Sequence, residues 1–250
     1  MAFAHLHVHS NFSFLDGGSS VESLLDRAKE IGLESLALTD HDGLYGIVRF
    51  CDYASKVGIK PIAGVEIQVT NSPDDPPGSG HHLVLLAKNL DGYSNLCKII
   101  TRAHLSHAKG EAAADLDTLA RHRDSIFCLS GCPAGEVPSL LVAGRLPEAR
   151  AAAGRLLDIF GRESFLIEMQ NNLLPGASVL NFRLAELAEE MGLRIVATNN
   201  VHYARKDDFR VQDLLACVRT ITTLDDDSPE RKKNSEYYLK TPRAMANLFR

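Results

Sequence analysis

Three histidines recur at alternate positions near the start of the sequence, in the stretch HLHVHS. In a β-strand, residues i, i+2 and i+4 point to one face, so the spacing predicts that His5, His7 and His9 share one side of a strand. Three imidazoles on one buried face would repel each other if they were protonated, so they need a metal ion, a phosphate or water between them. Asp16 follows in the next loop and adds a carboxylate that could bind a metal.

Other side chains that can bind metals stand at or near the ends of further predicted strands. They are Asp40, His41 and Asp42 in LTDHDG, Glu66 in GVEI, Cys132 in SGCP, and Asn200 and His202 in TNNVHY. His81 and His82 differ, because they stand at the start of their strand. In a parallel barrel the carboxyl ends of the strands meet at one rim, where barrel enzymes build their sites. The sequence therefore predicts that these side chains gather at one rim.

The chemistry of this set favours a metal centre that acts on phosphate esters. Imidazole, carboxylate and thiolate ligands together suit Zn, Mn or Fe better than Ca or Mg alone. The number of hard and soft ligands on one rim indicates more than one ion. Clustered metal ions are the usual apparatus of phosphoester hydrolysis, in which one ion generates hydroxide from water and another stabilises the leaving oxygen.

The rest of the sequence alternates short apolar runs with amphipathic helical patterns. The predicted strands are residues 6–10, 35–40, 61–67, 82–87, 125–131, 165–169 and 194–200, and the predicted helices are residues 21–32, 44–58, 92–105, 145–161 and 178–192. Strands that alternate with helices are typical of parallel β/α units, and seven strands suit a closed or nearly closed barrel. Residues 71–80 are predicted as a turn or loop, and residues 222–236 as a surface excursion or linker.

The composition is that of an ordinary globular protein, with 45% hydrophobic and 24% charged residues. The net charge of −5 argues against a broad basic face for nucleic acid, but bound divalent cations would invert the field locally. No apolar run can span a bilayer and no signal peptide precedes the histidines, so we expect a cytoplasmic protein without membrane contact. The five scattered cysteines predict no disulfide framework.

Five stretches resemble the PHP (polymerase and histidinol phosphatase) domain at the N-terminus of bacterial C-family DNA polymerases, the polymerase III α subunits. They are HLHVHSNFSFLDG, LALTDHDGLYGIVRFCDYASKVGIKPIAGVEI, HHLVLLAKNLDGYSNLCKI, SGCPAGEVPSLL and VATNNVHY. The resemblance runs from about residue 3 to 245 and includes YYLKTPRAMANLF, which is similar to the segment leading towards the polymerase palm. It implies a distorted (β/α)7 barrel, with residues 1–220 as the PHP domain and residues 221–250 as a linker and the start of that segment.

The resemblance also implies which residues bind metal. The family's ligands, nine residues around three ions, fall on His7, His9, Asp16, His41, Glu66, His82, Cys132, Asn200 and His202. His5 and His81 are thereby left out of the ligand set. Asp40 is expected to orient the ligands without binding metal itself. The family pattern has Asp at the position of Asn200, and a neutral carbonyl oxygen is a poorer ligand than a carboxylate. We therefore expect two to three divalent ions (Zn, Mn or Fe, with Mg also possible), one of them bound weakly or lost.

The leading hypothesis from the resemblance is a metal-dependent 3′→5′ exonuclease for proofreading. A metal-bound hydroxide would attack the last phosphodiester of a single-stranded or frayed DNA 3′ end, and no separate general base is evident. Two alternatives stay open. One is a weakly active or inactive metal-binding domain that stabilises the polymerase and docks a proofreading partner; the other, less favoured, is a phosphomonoesterase for small phosphate esters. The expected partners are DNA, the remainder of a polymerase chain whose own catalytic site lies elsewhere, and replisome subunits.

Overall fold

A computed structural model describes residues 3–71, 75 and 79–249 of the chain. The described residues form strands β1 (Ser35–Leu38), β2 (Lys60–Thr70), β3 (His81–Ala87), β4 (Ala114–Asp115), β5 (Ile126–Leu129), β6 (Phe165–Gln170) and β7 (Arg194–Thr198). They also form helices α1 (Val21–Glu30), α2 (Ile47–Val57), α3 (Leu90–Ser106), α4 (Leu116–Arg121), α5 (Glu136–Val142), α6 (Leu146–Phe160), α7 (Ala177–Met191), α8 (Phe209–Thr220) and α9 (Pro242–Leu248), with a 3₁₀ turn at Lys206–Asp208.

The five helices predicted from the sequence are present as α1, α2, α3, α6 and α7. Gly58 and Gly192 end α2 and α7 in the left-handed conformation, with φ of 80° and 62°, which glycine adopts without steric cost. Four helices are not predicted. Three of them, α4, α5 and α9, are only six or seven residues long, which is too short for a helical period to be recognised.

The strands form one curled sheet in the order β1-β2-β3-β5-β6-β7, with β4 beside β2. The pairs β1–β2, β5–β6 and β6–β7 are parallel, as predicted, but β3 runs antiparallel to both β2 and β5. The prediction of a wholly parallel arrangement is therefore wrong for β3. The reason is that only ten residues separate β2 from β3, and a parallel pair needs a crossover of a dozen residues or more. The predicted loop at residues 71–80 joins them, and its residues 72–74 and 76–78 lie outside the described part of the chain.

The segment before α1 closes the curled sheet, but the predicted strand at residues 6–10 is wrong. This segment makes isolated parallel bridges, one from His5 to Leu36 of β1 and one from Val8 to Val201 beyond β7. Beside Val8, the hydroxyl of Thr39 accepts from the Val8 N–H and donates to the Val8 carbonyl. The Thr39 hydroxyl thus replaces a backbone acceptor for the Val8 N–H, and this segment pairs through isolated bridges rather than as a regular strand. The result is a distorted α/β barrel, as predicted, whose sheet is mixed rather than parallel.

Alternating side chains of β3 divide the core between the two faces of the sheet. Leu83 and Leu85 pack outward in the main hydrophobic cluster with α3 and α5–α7, and Val84 and Leu86 belong to a smaller cluster inside the barrel. Glu66 of β2 is in register with Val84, and paired residues of adjacent strands point to the same face. The Glu66 carboxylate therefore lies inside the barrel, next to this smaller apolar cluster.

The chain after residue 236 packs against the barrel. Leu239 is fully buried in the cluster that includes α1 and α2, and Tyr238 bridges to Tyr203. The Asn199 side chain donates to the carbonyls of Glu236 and Tyr238, at 2.9 Å each. The division of the chain near residue 220 stays a prediction. In the described ranges, no helix has the length and apolar character needed to cross a membrane.

Candidate metal centre

The metal-capable side chains meet at one rim of the barrel, where β1, β5 and β7 end. His41 follows β1 and bridges to Glu66 of β2, Cys132 follows β5, and His202 follows β7. His82 stands at the start of β3 and yet reaches the same rim, because β3 runs against its neighbours. The antiparallel strand explains why this histidine is at the opposite end of its strand from the other residues.

Glu66 is the centre of the site. Its Oε1 lies 2.9 Å from His41 Nδ1 and 2.7 Å from His82 Nδ1, and its Oε2 lies 2.7 Å from His7 Nε2. The side chain is only 2% exposed. A carboxylate that faces three imidazoles with two oxygens has the geometry of a ligand shared between neighbouring cations.

Three overlapping groups of side chains offer ligand atoms that lie within 4.8 Å of one another. The groups are His9, His41 and His202; His7, His9 and Glu66; and Glu66, His82 and Cys132. His9 belongs to two groups and Glu66 to two, so the groups form a continuous row. Seven of the nine predicted ligands thus come together, and their binding of metal stays a prediction.

Asp16 joins the row at the end that holds His202. Its Oδ2 lies 3.0 Å from His41 Nε2 and 2.9 Å from His202 Nε2. Gln212 of α8 donates to the other carboxylate oxygen at 3.3 Å. Asp16 is therefore placed among the predicted ligands and is held in position by a residue that the sequence did not indicate.

Asn200 lies at the same rim, two residues before His202, and its side-chain oxygen is a buried acceptor. The residue is buried and adopts a positive φ of 45°, and its Oδ1 has no hydrogen-bond partner among the described residues. Its backbone carbonyl accepts from His202 Nδ1 at 2.8 Å, which directs Nε2 of that histidine into the site. The side-chain oxygen is thus available to a cation, although it carries no charge.

Asp40 lies behind the ligands. It accepts from the backbone N–H of Ser10 at 2.7 Å and from the hydroxyls of Ser10 and Ser13 at 2.8 and 2.7 Å. The Ser13 hydroxyl lies 3.1 Å from His9 Nδ1. Asp40 is therefore placed to orient His9 through Ser13, and its supporting role at a metal site stays a prediction.

Glu168 of β6 is a component of the site that the sequence analysis missed. Its Oε1 accepts from His7 Nδ1 at 2.8 Å and from Gln170 at 2.9 Å, and the Thr198 hydroxyl donates to it as well. The residue is 1% exposed. The sequence did hold a signal, namely a glutamate inside the apolar strand FLIEMQ. Buried carboxylates almost always have a partner, so this glutamate indicates a contact with a polar or cationic group.

One predicted feature of the histidine clusters does not hold. His5 does not share a face with His7 and His9: its Nε2 lies 2.9 Å from the Lys240 carbonyl and its ring packs edge-on against Phe3. Burial lowers the pKa of His5 to about 4, so the ring is neutral. His81 belongs to none of the three ligand groups. Of these five histidines, His7, His9 and His82 belong to ligand groups, and His5 and His81 do not.

The charges at the rim compensate one another closely. Burial opposes the charged form of His7, yet the carboxylates of Glu168 and Glu66 raise its pKa to about 9. His41 is likewise raised to a pKa of about 10 by Glu66 and Asp16, against the effect of burial. Burial would raise the pKa of Glu66, but His7 and His41 hold it well below its usual range. Without a cation, protonated imidazoles neutralise the buried carboxylates.

The residues present fit divalent metal ions. His9 Nε2 and Asn200 Oδ1 are buried and make no hydrogen bond within the described ranges. Buried polar atoms are rarely left unpaired, and these two stand in or beside the ligand row. Imidazole, carboxylate and thiolate donors together suit Zn, Mn or Fe, and a row of overlapping groups fits more than one ion.

A cavity of about 780 Å³ opens above the row, lined by Asp16, Glu66, Cys132 and His202 among others. A slightly larger cavity of about 850 Å³ lies at the opposite mouth of the barrel, near the start of β1 and β7. No histidine or carboxylate is found among the described residues that line this second cavity. The candidate functional site is therefore identified by the metal-binding side chains that line the first cavity, and not by cavity volume.

The fold is a distorted α/β barrel, and one rim of it gathers side chains that can bind metal ions. A family model described as the PHP domain matches residues 5–172, and the chain belongs to this family, as predicted. A solved structure of a candidate metal-dependent phosphoesterase from Bifidobacterium adolescentis matches with a TM-score of 0.50 and 15% identity, over 80% of this chain and 88% of that one. This likeness shows the fold alone.

The sequence relatives are DNA polymerases. The chain is 43% identical over 267 residues to an error-prone DNA polymerase of Symbiobacterium thermophilum, with 100% of this chain and 24% of that protein covered. It is 39% identical over 255 residues to the DNA polymerase III subunit alpha of Treponema pallidum, with 100% and 22% covered, and 40% identical over 258 residues to that of Thermus aquaticus, with 100% and 21% covered. The chain thus spans less than a quarter of the length of these relatives.

Proposed function

We propose that the chain is a metal-dependent phosphodiesterase that removes nucleotides from a DNA 3′ end, and that it proofreads as part of a longer, cytoplasmic polymerase of the DNA polymerase III α type. The observation that carries the proposal is the shared position of Glu66. Its two oxygens face His7, His41 and His82 at 2.7–2.9 Å on the floor of an open cavity. Neighbouring ions that share a carboxylate are suited to phosphoester hydrolysis.

Nine residues would hold two to three divalent ions, with Zn, Mn or Fe favoured and Mg also possible. They are His7, His9, Asp16, His41, Glu66, His82, Cys132, Asn200 and His202. When bound, such ions lower the pKa of water for attack on phosphorus and neutralise charge on the phosphate and on the leaving 3′ oxygen. The overall reaction adds one water across the terminal phosphodiester and yields a 5′ mononucleotide and a strand with a new 3′ hydroxyl.

The protein contributes rigid orientation of its imidazoles. Glu168 accepts from His7 Nδ1 and Ser13 contacts His9 Nδ1, so the Nε2 atoms of both rings face the site. Hydrogen bonds on the outer nitrogen fix the tautomer and orientation of a metal-binding histidine. We assign no separate side chain as a general base.

A second candidate function is favoured by Asn200. Where the family pattern has a carboxylate, this chain offers a neutral and unpaired amide oxygen, which weakens the attraction for one cation. In this alternative the domain binds metal with little or no hydrolysis, stabilises the polymerase and docks a proofreading partner. In either case we propose residues 1–220 as the PHP domain and residues 221–250 as the segment leading towards the palm. The remaining polymerase chain and other replisome subunits are the proposed partners.

The test is release of labelled nucleotide from the 3′ end of single-stranded DNA by the purified chain. It is run with Mn²⁺, with Zn²⁺ and with chelator, on the wild type and on His82→Ala and His81→Ala. The two variants remove adjacent histidines of β3, of which only His82 belongs to a ligand group. We expect metal-dependent release that His82→Ala abolishes and His81→Ala retains. Absence of release from folded, metal-loaded wild type would overturn the nuclease and favour the second candidate.

A further inference from the structure

The charged segment 222–236 forms one wall of the cavity above the metal centre. Its residues Glu230, Arg231 and Lys232 line the cavity together with Arg219 of α8. The sequence pattern predicts only a surface excursion or linker here. The structure instead places cationic side chains beside the ligand row.

The segment is fixed to α8 by one arginine. Arg231 donates from Nε and Nη2 to the two carboxylate oxygens of Asp213, at 2.6 and 2.7 Å. Its Nη1 donates to the carbonyls of Leu224 and Asp226, at 2.9 and 2.8 Å. A bidentate pair with two further hydrogen bonds is a rigid anchor, so the next residue, Lys232, has a defined position.

Lys232 is a cation with no carboxylate partner among the described residues. Its Nζ lies 4.8 Å from the centre of the Tyr237 ring, and that ring packs edge-on against His202 at 5.8 Å. The ammonium group is therefore held above the His202 end of the ligand row. A cation–π contact of this kind leaves its hydrogen-bond donors free.

Arg219 reaches the same end of the row from α8. Its Nη1 lies 3.0 Å from Glu230 Oε2, and its Nη2 lies 3.9 Å from Asp16 Oδ1. Both members of the Arg219–Glu230 pair are substantially exposed, and exposed ion pairs contribute little free energy. The guanidinium can therefore exchange Glu230 for a phosphate, which it can bind with two parallel hydrogen bonds.

We propose that Arg219 and Lys232 bind the backbone phosphate that precedes the scissile phosphodiester. This inference rests on the proposed function and assigns its substrate class: a polynucleotide strand, and not a small phosphomonoester. A monoester places all its charge at the metal centre, where the ions neutralise it. A strand carries further phosphates beyond the reacting one. Arg219 and Lys232 line the same cavity as the ligand row, so they are placed to bind such a phosphate.

The test is binding rather than hydrolysis, so that it is independent of the proposed activity. A fluorescein-labelled, nuclease-resistant phosphorothioate oligonucleotide is titrated with the chain in Mn²⁺, at several salt concentrations, and anisotropy is followed. The variants are Lys232→Ala, Lys232→Gln and Arg219→Ala. The matched control is Lys56→Ala, which removes an exposed lysine of α2 that pairs with Asp52. Circular dichroism checks that each variant is folded, and Lys232→Gln removes the charge while it keeps a polar side chain with half of the lysine methylenes.

Each variant of Arg219 or Lys232 is expected to weaken oligonucleotide binding about tenfold at low salt and to reduce the slope of log K against log salt by about 0.7. Binding of a mononucleotide is expected to stay within about twofold of the wild type. Slopes equal to that of Lys56→Ala would overturn the assignment. So would an equal loss for the mononucleotide and the oligonucleotide, because the cations would then act at the metal centre itself. A chain that shows the expected binding but no hydrolysis would contradict only the proposed nuclease.

Discussion

His7 is held between two buried glutamates. Its Nδ1 lies 2.8 Å from Glu168 Oε1, and its Nε2 lies 2.7 Å from Glu66 Oε2. The imidazole thus contacts two carboxylates. Glu168 on β6 fixes its orientation, and Glu66 on β2 lies on the side that faces the candidate metal site. Such carboxylate–histidine pairs raise the basicity of a metal ligand.

Replacement of Glu168 by Gln should weaken metal binding without removing a ligand. We expect the affinity of the chain for its tightest divalent ion to fall about 10- to 100-fold, which is the usual effect of losing such a partner. Titration against a competing chelator measures the change. The control is Glu163→Gln, an exposed glutamate just before β6. Equal affinities in the two variants would show that Glu168 has no role in positioning His7.

Replacement of Asn200 by Asp should strengthen the binding of one ion. A carboxylate is a better ligand for Mn²⁺ than an amide oxygen, and Asp tolerates the positive φ of this position. We expect about tenfold higher affinity for Mn²⁺, which corresponds to about 1.4 kcal/mol, and a higher metal content after dialysis. Asn95→Asp on α3 makes the same charge change far from the site. A metal content unaltered by Asn200→Asp would exclude this residue as a ligand.

Metal binding should stabilise the fold, because the candidate ligands come from segments far apart in the chain. At a free metal concentration 100 times the dissociation constant, linkage contributes about 2.7 kcal/mol. For a chain of this length that raises Tm by about 5–10 °C. Thermal unfolding with chelator, and then with Zn²⁺ or Mn²⁺ restored, measures it. The Glu66→Gln variant should lose most of the shift, and a Tm that no metal changes would argue against the centre.

Truncation of a buried side chain near the end of the described chain should destabilise the whole barrel. Leu239 is fully buried, and Leu→Ala changes at such positions cost about 2–5 kcal/mol. The matched control is Leu224→Ala in the charged segment, where the side chain is 55% exposed and the expected change is below about 0.5 kcal/mol. Urea unfolding compares the two. Similar midpoints would mean that residues after 236 are independent of the barrel.

Most helices and the later strands could be predicted because each has a clear apolar period bounded by glycine or polar residues. The direction of β3 could not be predicted, because periodicity carries no information on direction. That error concerned the site directly, since the direction of β3 places His82 at the rim. Glu168 escaped notice for another reason: it lies inside an apolar strand, and its partner His7 is remote in sequence. The role of segment 222–236 depends on the Arg231–Asp213 pair, which no local pattern indicates.

The bridges of the N-terminal segment also have a consequence for the order of assembly. His7 and His9 stand in the segment that seals the barrel, and this segment pairs on one side with Val201, which is synthesised long after it. During synthesis the segment can pair early with β1, but its partner on the other side exists only after the chain beyond β7 has been made. Contacts of such long sequence separation form slowly. Closure of the barrel on this side and completion of the ligand row therefore depend on the same late part of the chain, which holds Val201 and His202.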